Sequence, residues 1–156
     1  MKKVLLMCAA ALVIFGCGSK SNNPTPTNKP DYKSLIIGKW VNEKDTIYEY
    51  TNNKLTHTTV VKIIANTYVE YKADGTGADH WTYLIPFTYT ITDKTVSYKI
   101  PPIHDNGSTY PASEYSEEIK MLNGTQFVTR YENVDTDQQG NVYKEVEMDY
   151  YTKLTN

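Results

Sequence analysis

Apolar and polar residues alternate along most of the chain beyond residue 34. The alternation is clearest where single threonines separate Phe87, Tyr89 and Ile91, and it resumes over residues 95–100 after a short polar turn. A period of two residues is typical of a β-strand with one buried and one solvated face. We therefore expect these two segments to form an antiparallel pair whose apolar face packs in a core.

The C-terminal segment, residues 142–154, has the same period with a sharper contrast between its two faces. Val146 and Met148 share one parity, whereas Glu147 and Asp149 share the other. This pattern predicts a strand with a dry aliphatic face and a wet face of carboxylates.

Turn signals divide the rest of the chain into short strands. Asn123-Gly124 lies between two alternating segments and is the strongest hairpin signal in the sequence. The predicted strands are 36–43, 45–51, 55–63, 67–73, 78–85, 86–92, 95–100, 116–122, 125–133 and 142–154. Because no window has a convincing helical period, we predict an all-β fold, an antiparallel up-and-down barrel of about eight to ten strands that leaves no open sheet edge. The 14 tyrosines agree with this prediction, since aromatic residues favour strands.

The first sixteen residues have the pattern of a secretory signal peptide. Lys2 and Lys3 precede an uncharged apolar run over residues 4–15. A helix of that length reaches about 18 Å, which is short of the roughly 30 Å hydrocarbon core of a bilayer. We therefore predict a cleaved signal peptide over 1–16 and not a permanent membrane span.

The sequence Ile14-Phe15-Gly16-Cys17 resembles the lipobox of bacterial lipoproteins. The resemblance implies cleavage after Gly16, a diacylglyceryl thioether on Cys17 and acylation, by palmitate or a similar chain, of the new N-terminus. The alternative is an ordinary secretory signal in which the cysteine is incidental. No aspartate follows Cys17, so by the rule known for enteric lipoproteins the resemblance implies a protein held at the bacterial outer membrane by its lipid, at the periplasmic face or the cell surface.

Composition divides the remaining chain into a tether and one domain. Residues 19–31 are serine, threonine, asparagine, lysine, proline and aspartate, which cannot bury enough surface to offset chain entropy. We therefore assign 17–33 to the lipidated cysteine and a disordered tether, and 34–156 to the folded domain. Cys8 leaves with the signal, so a chain lipidated at Cys17 has no disulfide.

Net charge excludes one class of function. The chain has 16 basic and 18 acidic residues and a formal net charge of −2. A strongly basic nucleic-acid-binding protein is therefore excluded. The expected contacts are with a membrane through the lipid anchor and with a small ligand, and the sequence identifies no protein partner.

Elements near the start and middle of the domain resemble the lipocalin-like domain of small bacterial lipoproteins. Residues 36–40 end in Gly-Lys-Trp, like the G-x-W signature of lipocalins. The run 71–77, then Trp81, then 87–91 follow in the order of that domain. The resemblance extends over most of residues 35–154 and implies a lipocalin-like barrel.

The lipocalin resemblance also implies roles for particular side chains. Trp40 would close the barrel floor, and Arg130, which is the sole arginine, would stack on it as a cation on an aromatic ring. The alternative is that Arg130 is a solvated surface residue. Tyr89 and Tyr98 are candidates to line a cavity or to fill the interior.

Two functions follow from the two states of such a barrel. A hollow barrel would bind a small apolar or amphipathic ligand. A filled barrel would act through its outer surface, as an accessory or inhibitory partner of another envelope protein. A continuous cavity open at one end favours the first, and a packed interior with an exposed apolar patch favours the second.

Catalytic and metal-binding patterns are sparse, so we expect neither an enzyme nor a bound metal or cofactor. His57, His80 and His104 have no ligand-type spacing, and an enzyme would need His80 or His104 to converge with an acid in one cleft. Residues 135–140 resemble the start of a calcium loop, but Val146 stands where the bidentate glutamate belongs.

One further pattern concerns modification. Asp45-Thr46-Ile47 resembles the three-residue O-glycosylation signal of some Gram-negative phyla. It would place a glycan on Thr46, and the alternative is a chance match to a short motif.

Overall fold

The computed structural model describes residues 30–63, 67–81, 84–105 and 108–155. The predicted signal peptide, Cys17 and nearly all of the tether lie outside these residues. The secondary structure consists of one helical turn, α1 (Tyr32–Leu35), and the strands β1 (Gly38–Thr51), β2 (Lys54–Lys62), β3 (Tyr68–Tyr71), β4 (Thr76–His80), β5 (Leu84–Thr92), β6 (Thr95–Ile100), β7 (Ile103–Asp105), β8 (Ser108–Tyr110), β9 (Ser113–Leu122), β10 (Gln126–Thr136) and β11 (Val142–Lys153). In this part of the chain, no helix is long and apolar enough to cross a bilayer.

Eight of the strands form a closed antiparallel barrel. Their order around the ring is β1, β3, β4, β5, β6, β9, β10 and β11, and the pairing of β11 with β1 closes it. The predicted all-β antiparallel barrel is therefore confirmed. The strand β2 lies outside the ring, because it pairs with the second half of β1 where β3 pairs with the first. The short strands β7 and β8 form a separate ribbon between β6 and β9.

The first strand is longer than the pattern predicted. The segments 36–43 and 45–51 were expected as two strands, but they form the single 14-residue β1 with an irregularity in register between Asn42 and Lys44. A bulge of this kind adds one residue and inverts the alternation of faces beyond it. Both Asn42 and Asp45 therefore line the interior, which a simple period of two would forbid.

The core occupies one end of the barrel. Ile36, Trp40 and Phe127 are fully buried there, with Val96 and Ile119 beside them. The helical turn α1 closes this end, since its residues Tyr32 and Leu35 pack against the core. The ordered domain thus begins before residue 34, because Tyr32, which the sequence placed in the tether, is held by apolar contact.

Gly77 in β4 allows the aromatic core to close over the sheet. A Cβ atom at Gly77 would lie 2.3 Å from Phe87 Cε2 and 2.5 Å from the backbone oxygen of Glu70. The Phe87 ring therefore lies directly against the glycine backbone, and it makes an edge contact with Tyr71 at 5.5 Å between ring centroids.

We expect Gly77→Ala to lower the free energy of unfolding by about 2–3 kcal/mol, because the added methyl overpacks the core and one contacting atom belongs to the backbone. Urea denaturation measures the change. The matched control is Gly124→Ala, since a Cβ atom at Gly124 has no neighbour within 4 Å. Equal stability of the two variants would contradict the close packing at Gly77.

Candidate ligand-binding cavity

A cavity of about 350 Å³ lies at the end of the barrel opposite the Trp40 core. Its inner wall is formed by Tyr71, Phe87 and Tyr98, which separate it from the packed end. Trp81 lies at the cavity and is 65% exposed, so this end of the barrel meets solvent. The barrel is therefore filled at one end and hollow at the other.

Five carboxylates line this cavity. They are Asp45 on β1, Asp79 on β4, Glu117 on β9, and Glu147 and Asp149 on β11. Among the described residues, no lysine, arginine or histidine lines the same space. In the part of the chain that the structure describes, the cavity therefore holds an excess of acidic groups, and His80, which does not line it, acts only on Asp79.

Three of these carboxylates converge on one point. Asp45, Glu147 and Asp149 each have an oxygen that lies within 4.8 Å of the other two. The pairing of β1 with β11 places Asp45 opposite Asp149, and the two-residue period of β11 puts Glu147 on the same face. The convergence thus follows from strand register after the irregularity in β1. We call these three residues the acidic triad.

The hydrogen bonds around the triad leave some oxygens without a partner. Thr129 Oγ1 donates to Asp149 Oδ2 over 3.2 Å, and Asn42 Nδ2 donates to Asp45 Oδ1 over 2.7 Å. Within the described residues, Asp149 Oδ1 and Asn42 Oδ1 are buried and have no hydrogen-bond partner. Buried polar atoms are normally satisfied, so these two acceptors call for a donor, either a cation or a proton that Asp149 shares with the neighbouring Asp45 carboxyl.

Burial changes the protonation of the carboxylates. Desolvation is the main cause that raises the pKa of Glu117 to about 7, and Glu147 and Asp45 add to it. Desolvation also raises the pKa of Asp149 to about 8, with further contributions from Glu117, Glu147 and Asp45. The pKa of Asp79 and that of Glu147 are raised for the same first reason. An empty cavity therefore takes up protons near neutral pH to limit its charge.

Aromatic rings form the rest of the wall. The Tyr71 and Tyr98 hydroxyls are hydrogen-bonded to each other at 2.7 Å, and the Tyr115 ring stacks on Tyr98 at 4.9 Å between centroids. Tyr151 lines the cavity beside Asp149 and stacks on Phe127 of the core at 5.3 Å. The rings fix each other in place, so the cavity has a rigid aromatic side facing an acidic side.

The structure distributes the predicted site residues over separate regions. Tyr98 lines the cavity, whereas Tyr89 donates its hydroxyl to the Lys72 carbonyl and does not line it. Trp40 is fully buried in the core at the closed end. Arg130 forms ion pairs with Glu118 and Glu132. Tyr98 is thus the one of these four that belongs to the cavity.

The cation over Trp40 is Lys153 and not Arg130. Lys153 Nζ lies 5.0 Å from the centre of the indole ring and donates to the Leu35 carbonyl. Gly38 leaves room for it, because a Cβ atom there would lie 2.8 Å from Lys153 Cε. Trp40 Nε1 in turn donates to the Ile36 carbonyl over 2.6 Å. The Gly-Lys-Trp sequence therefore lets a C-terminal lysine cross the floor of the barrel.

The expected faces of β11 are reversed. Glu147 and Asp149 were expected on a wet outer face, but they line the cavity, and Val146 and Met148 lie on the opposite side. Val146 is nevertheless buried, outside the main core cluster. Tyr151 has the parity of the two acids, and this was the signal in the sequence that the acidic row faces inward.

The remaining candidates lie apart from the cavity. His57, His80 and His104 are on β2, β4 and β7, and none of them lines it. Asp137 accepts hydrogen bonds from the amides of Gln139 and Asn141, as in an ordinary hairpin loop, so its oxygens are already occupied.

Thr46 is only 6% exposed, within β1 and between β11 and β2. The folded barrel does not present its hydroxyl to a glycosyltransferase.

Comparisons of the chain with known proteins leave the cavity as the main guide to function. Neither protein-family models, nor curated proteins, nor solved structures match this sequence. The fold places the protein in a structural class: antiparallel β-barrels whose sheet is closed and whose interior is accessible at one end. The lipocalin and lipoprotein resemblances stay predictions, and the function is argued from the geometry.

Proposed function

We propose that this protein is a lipid-anchored lipoprotein of the bacterial cell envelope that binds a small amphipathic molecule inside a lipocalin-like barrel. The observation that carries the binding function is the cavity of about 350 Å³ at the open end of the barrel. This volume falls at the lower end of the range for small-molecule sites, roughly 300–1,000 Å³. Its walls combine aromatic rings with polar groups, which suits a ligand that has both characters.

The anchor rests on the lipobox resemblance at Cys17. Acyl chains contribute about 0.8 kcal/mol per buried CH₂, so two or three of them would hold the domain at a membrane stably. In this arrangement the barrel faces the periplasm or the cell exterior, at the outer membrane.

The cavity favours binding over the filled-barrel alternative. A domain that acts only through its surface needs a packed interior, and packing here is complete only at the Trp40 end. If no ligand is found, the alternative function, in which the barrel acts on another envelope protein through its outer surface, is the one to adopt.

Native mass spectrometry of the protein purified from its own host tests the binding function. We expect a subpopulation with the added mass of one small molecule, lost when the protein is unfolded. A protein that carries no small molecule and co-purifies with a stoichiometric protein partner would contradict the proposal.

A Cys17→Ser variant tests the anchor separately. We expect the unmodified protein in the membrane fraction with the mass of the lipid, and the variant in the soluble fraction. A variant that stays in the membrane would overturn the anchor and leave the binding function standing.

A further inference from the structure

The charge of the cavity restricts what its ligand can be. Five carboxylates from four strands face one space, and the described residues that line it include no basic side chain. An anionic ligand, such as a fatty acid, would add charge of the same sign beside these carboxylates. A neutral ligand would leave the carboxylates to be neutralised by protons, as in the protein without a ligand. A cation is the occupant that compensates them.

The acidic triad has the dimensions to hold an ammonium group. Three oxygens no more than 4.8 Å apart share a point that lies within about 2.8 Å of each. That is the length of a charge-assisted N–H···O bond, and a primary ammonium has three N–H donors to direct at three acceptors. The site therefore matches the group in number and in distance.

A second observation supports an occupant at this point. Asp149 is 8% exposed, and its Oδ1 is a buried acceptor without a hydrogen-bond partner among the described residues. Thr129 satisfies only the other oxygen. An ammonium held among the three carboxylates offers this side chain a donor in place of the proton that it otherwise shares with Asp45.

The rest of the cavity indicates an organic cation. A bare metal ion would occupy the triad alone and leave most of the 350 Å³ unused. The remaining wall includes Tyr71, Tyr98 and Tyr115 with Phe87, together with aliphatic residues such as Ile85 and Ile100, and these side chains suit an apolar or aromatic body. Tyrosine faces also attract positive charge. Acidic and aromatic sides together fit a molecule with an ammonium at one end.

We propose that the ligand is a small primary amine with an aromatic or aliphatic body, bound through its ammonium by Asp45, Glu147 and Asp149. The body lies against the tyrosine wall beside Tyr98 and Tyr115. This inference rests on the proposed function, because it names the chemistry of the ligand in the same cavity.

Isothermal titration calorimetry of the full lipidated chain in phosphatidylcholine nanodiscs tests the inference. The probes are tyramine, 4-ethylphenol, laurate and calcium chloride at about pH 7.5, where the amine is charged. 4-Ethylphenol has the ring and hydroxyl of tyramine and lacks its amine. Once the heat of each probe with protein-free nanodiscs is subtracted, we expect tyramine to bind at least tenfold more tightly than 4-ethylphenol, and laurate to give no binding to the protein.

Variants locate the ammonium. We expect Glu147→Gln to weaken tyramine at least tenfold and to leave 4-ethylphenol within twofold. Glu145→Gln is the matched control, since Glu145 is exposed on the same strand and does not line the cavity. Asp45→Asn provides a second test if Glu147→Gln melts well below the parent protein.

Each contrary result has a distinct meaning. If 4-ethylphenol or laurate binds as tightly as tyramine, the cavity binds ligands and the amine inference is overturned. If calcium binds and Glu147→Gln abolishes it while tyramine gives no heat, the site is for an inorganic cation and the inference is again overturned. If none of the four probes binds, the amine inference is overturned, and the binding function is then decided by the native mass spectrometry described above.

Discussion

Replacing Trp40 with alanine is expected to lower the free energy of unfolding by about 3–5 kcal/mol, the largest effect of a single substitution in this barrel. Trp40 is fully buried and meets the edge of Phe127 at 5.6 Å between ring centroids. Its removal leaves a cavity at the closed end, unpairs the Ile36 carbonyl and withdraws the ring beneath Lys153. Single domains are stable by only about 5–15 kcal/mol, so the variant should unfold at a much lower urea concentration.

The chain contains its own control for this prediction. Trp81→Ala removes the same side chain from an exposed position, and we expect a change within about 0.5 kcal/mol. These are the two tryptophans of the sequence, so each variant leaves the other indole as the fluorescence reporter. Similar losses in the free energy of unfolding of the two variants would show that burial of Trp40 does not stabilise the core.

The second large effect is a fall in stability as pH rises from about 4 to 8. Glu117 and Asp149 have unfolded pKa values near 4 and folded values raised to about 7 and 8, chiefly by burial. In this range the folded state binds more protons than the unfolded state, so the free energy of unfolding decreases with pH. The stabilisation that comes from keeping these two carboxyl groups protonated in the folded state is fully present below about pH 4 and is lost by about pH 8.

The expected slope reaches about 1.4 kcal/mol per pH unit for each group that titrates. The groups facing Asp149 are Asp45 on β1, Glu117 on β9 and Glu147 on β11, all acidic. Asp74 and Asp137 have lowered pKa values through their hydrogen bonds, so they act in the opposite direction only below about pH 4. Maximum stability should therefore lie near pH 4–5.

Urea denaturation across this range, with Asp149→Asn beside the parent chain, measures the effect. The amide cannot ionise, so we expect a smaller slope and a higher stability than the parent at pH 8. Asp135→Asn on β10 is the matched control, because Asp135 is exposed, and it should keep the parent slope. Stability that is constant or increasing between pH 5 and 8 would contradict the buried carboxylates.

Local patterns predicted much of the barrel. The alternation of Phe87, Tyr89 and Ile91 is confirmed, since all three are buried on one face of β5, where Tyr89 and Ile91 lie opposite Tyr98 and Val96 of β6. The turn at Asn123-Gly124 is confirmed as well: the Asn123 side chain accepts from the amides of Thr125 and Gln126. Both features depend on a few adjacent residues, and for this reason a single sequence was enough.

The candidate site was not predictable in the same way. Its five carboxylates are spread from residue 45 to residue 149 and come from four strands. The alternation on β11 was read correctly as a period of two, but a period does not say which face is inside. Polar residues on an inner face resemble those on an outer face unless the partner strands are known.

What the sequence determined by itself is most of the elements: the longer strands, the turns between them, the antiparallel pairing of neighbouring strands and the segment that resembles a lipoprotein leader. These follow from propensity and periodicity, which are local. Only the tertiary structure decided that the bulge after Asn42 turns Asp45 inward, that closure of β11 on β1 brings it to Glu147 and Asp149, and that Lys153 covers Trp40. The physical reason is that strand register and barrel closure bring together residues about a hundred positions apart. The cost of burying a charge depends on which groups become its neighbours, and no single segment of the sequence contains that information.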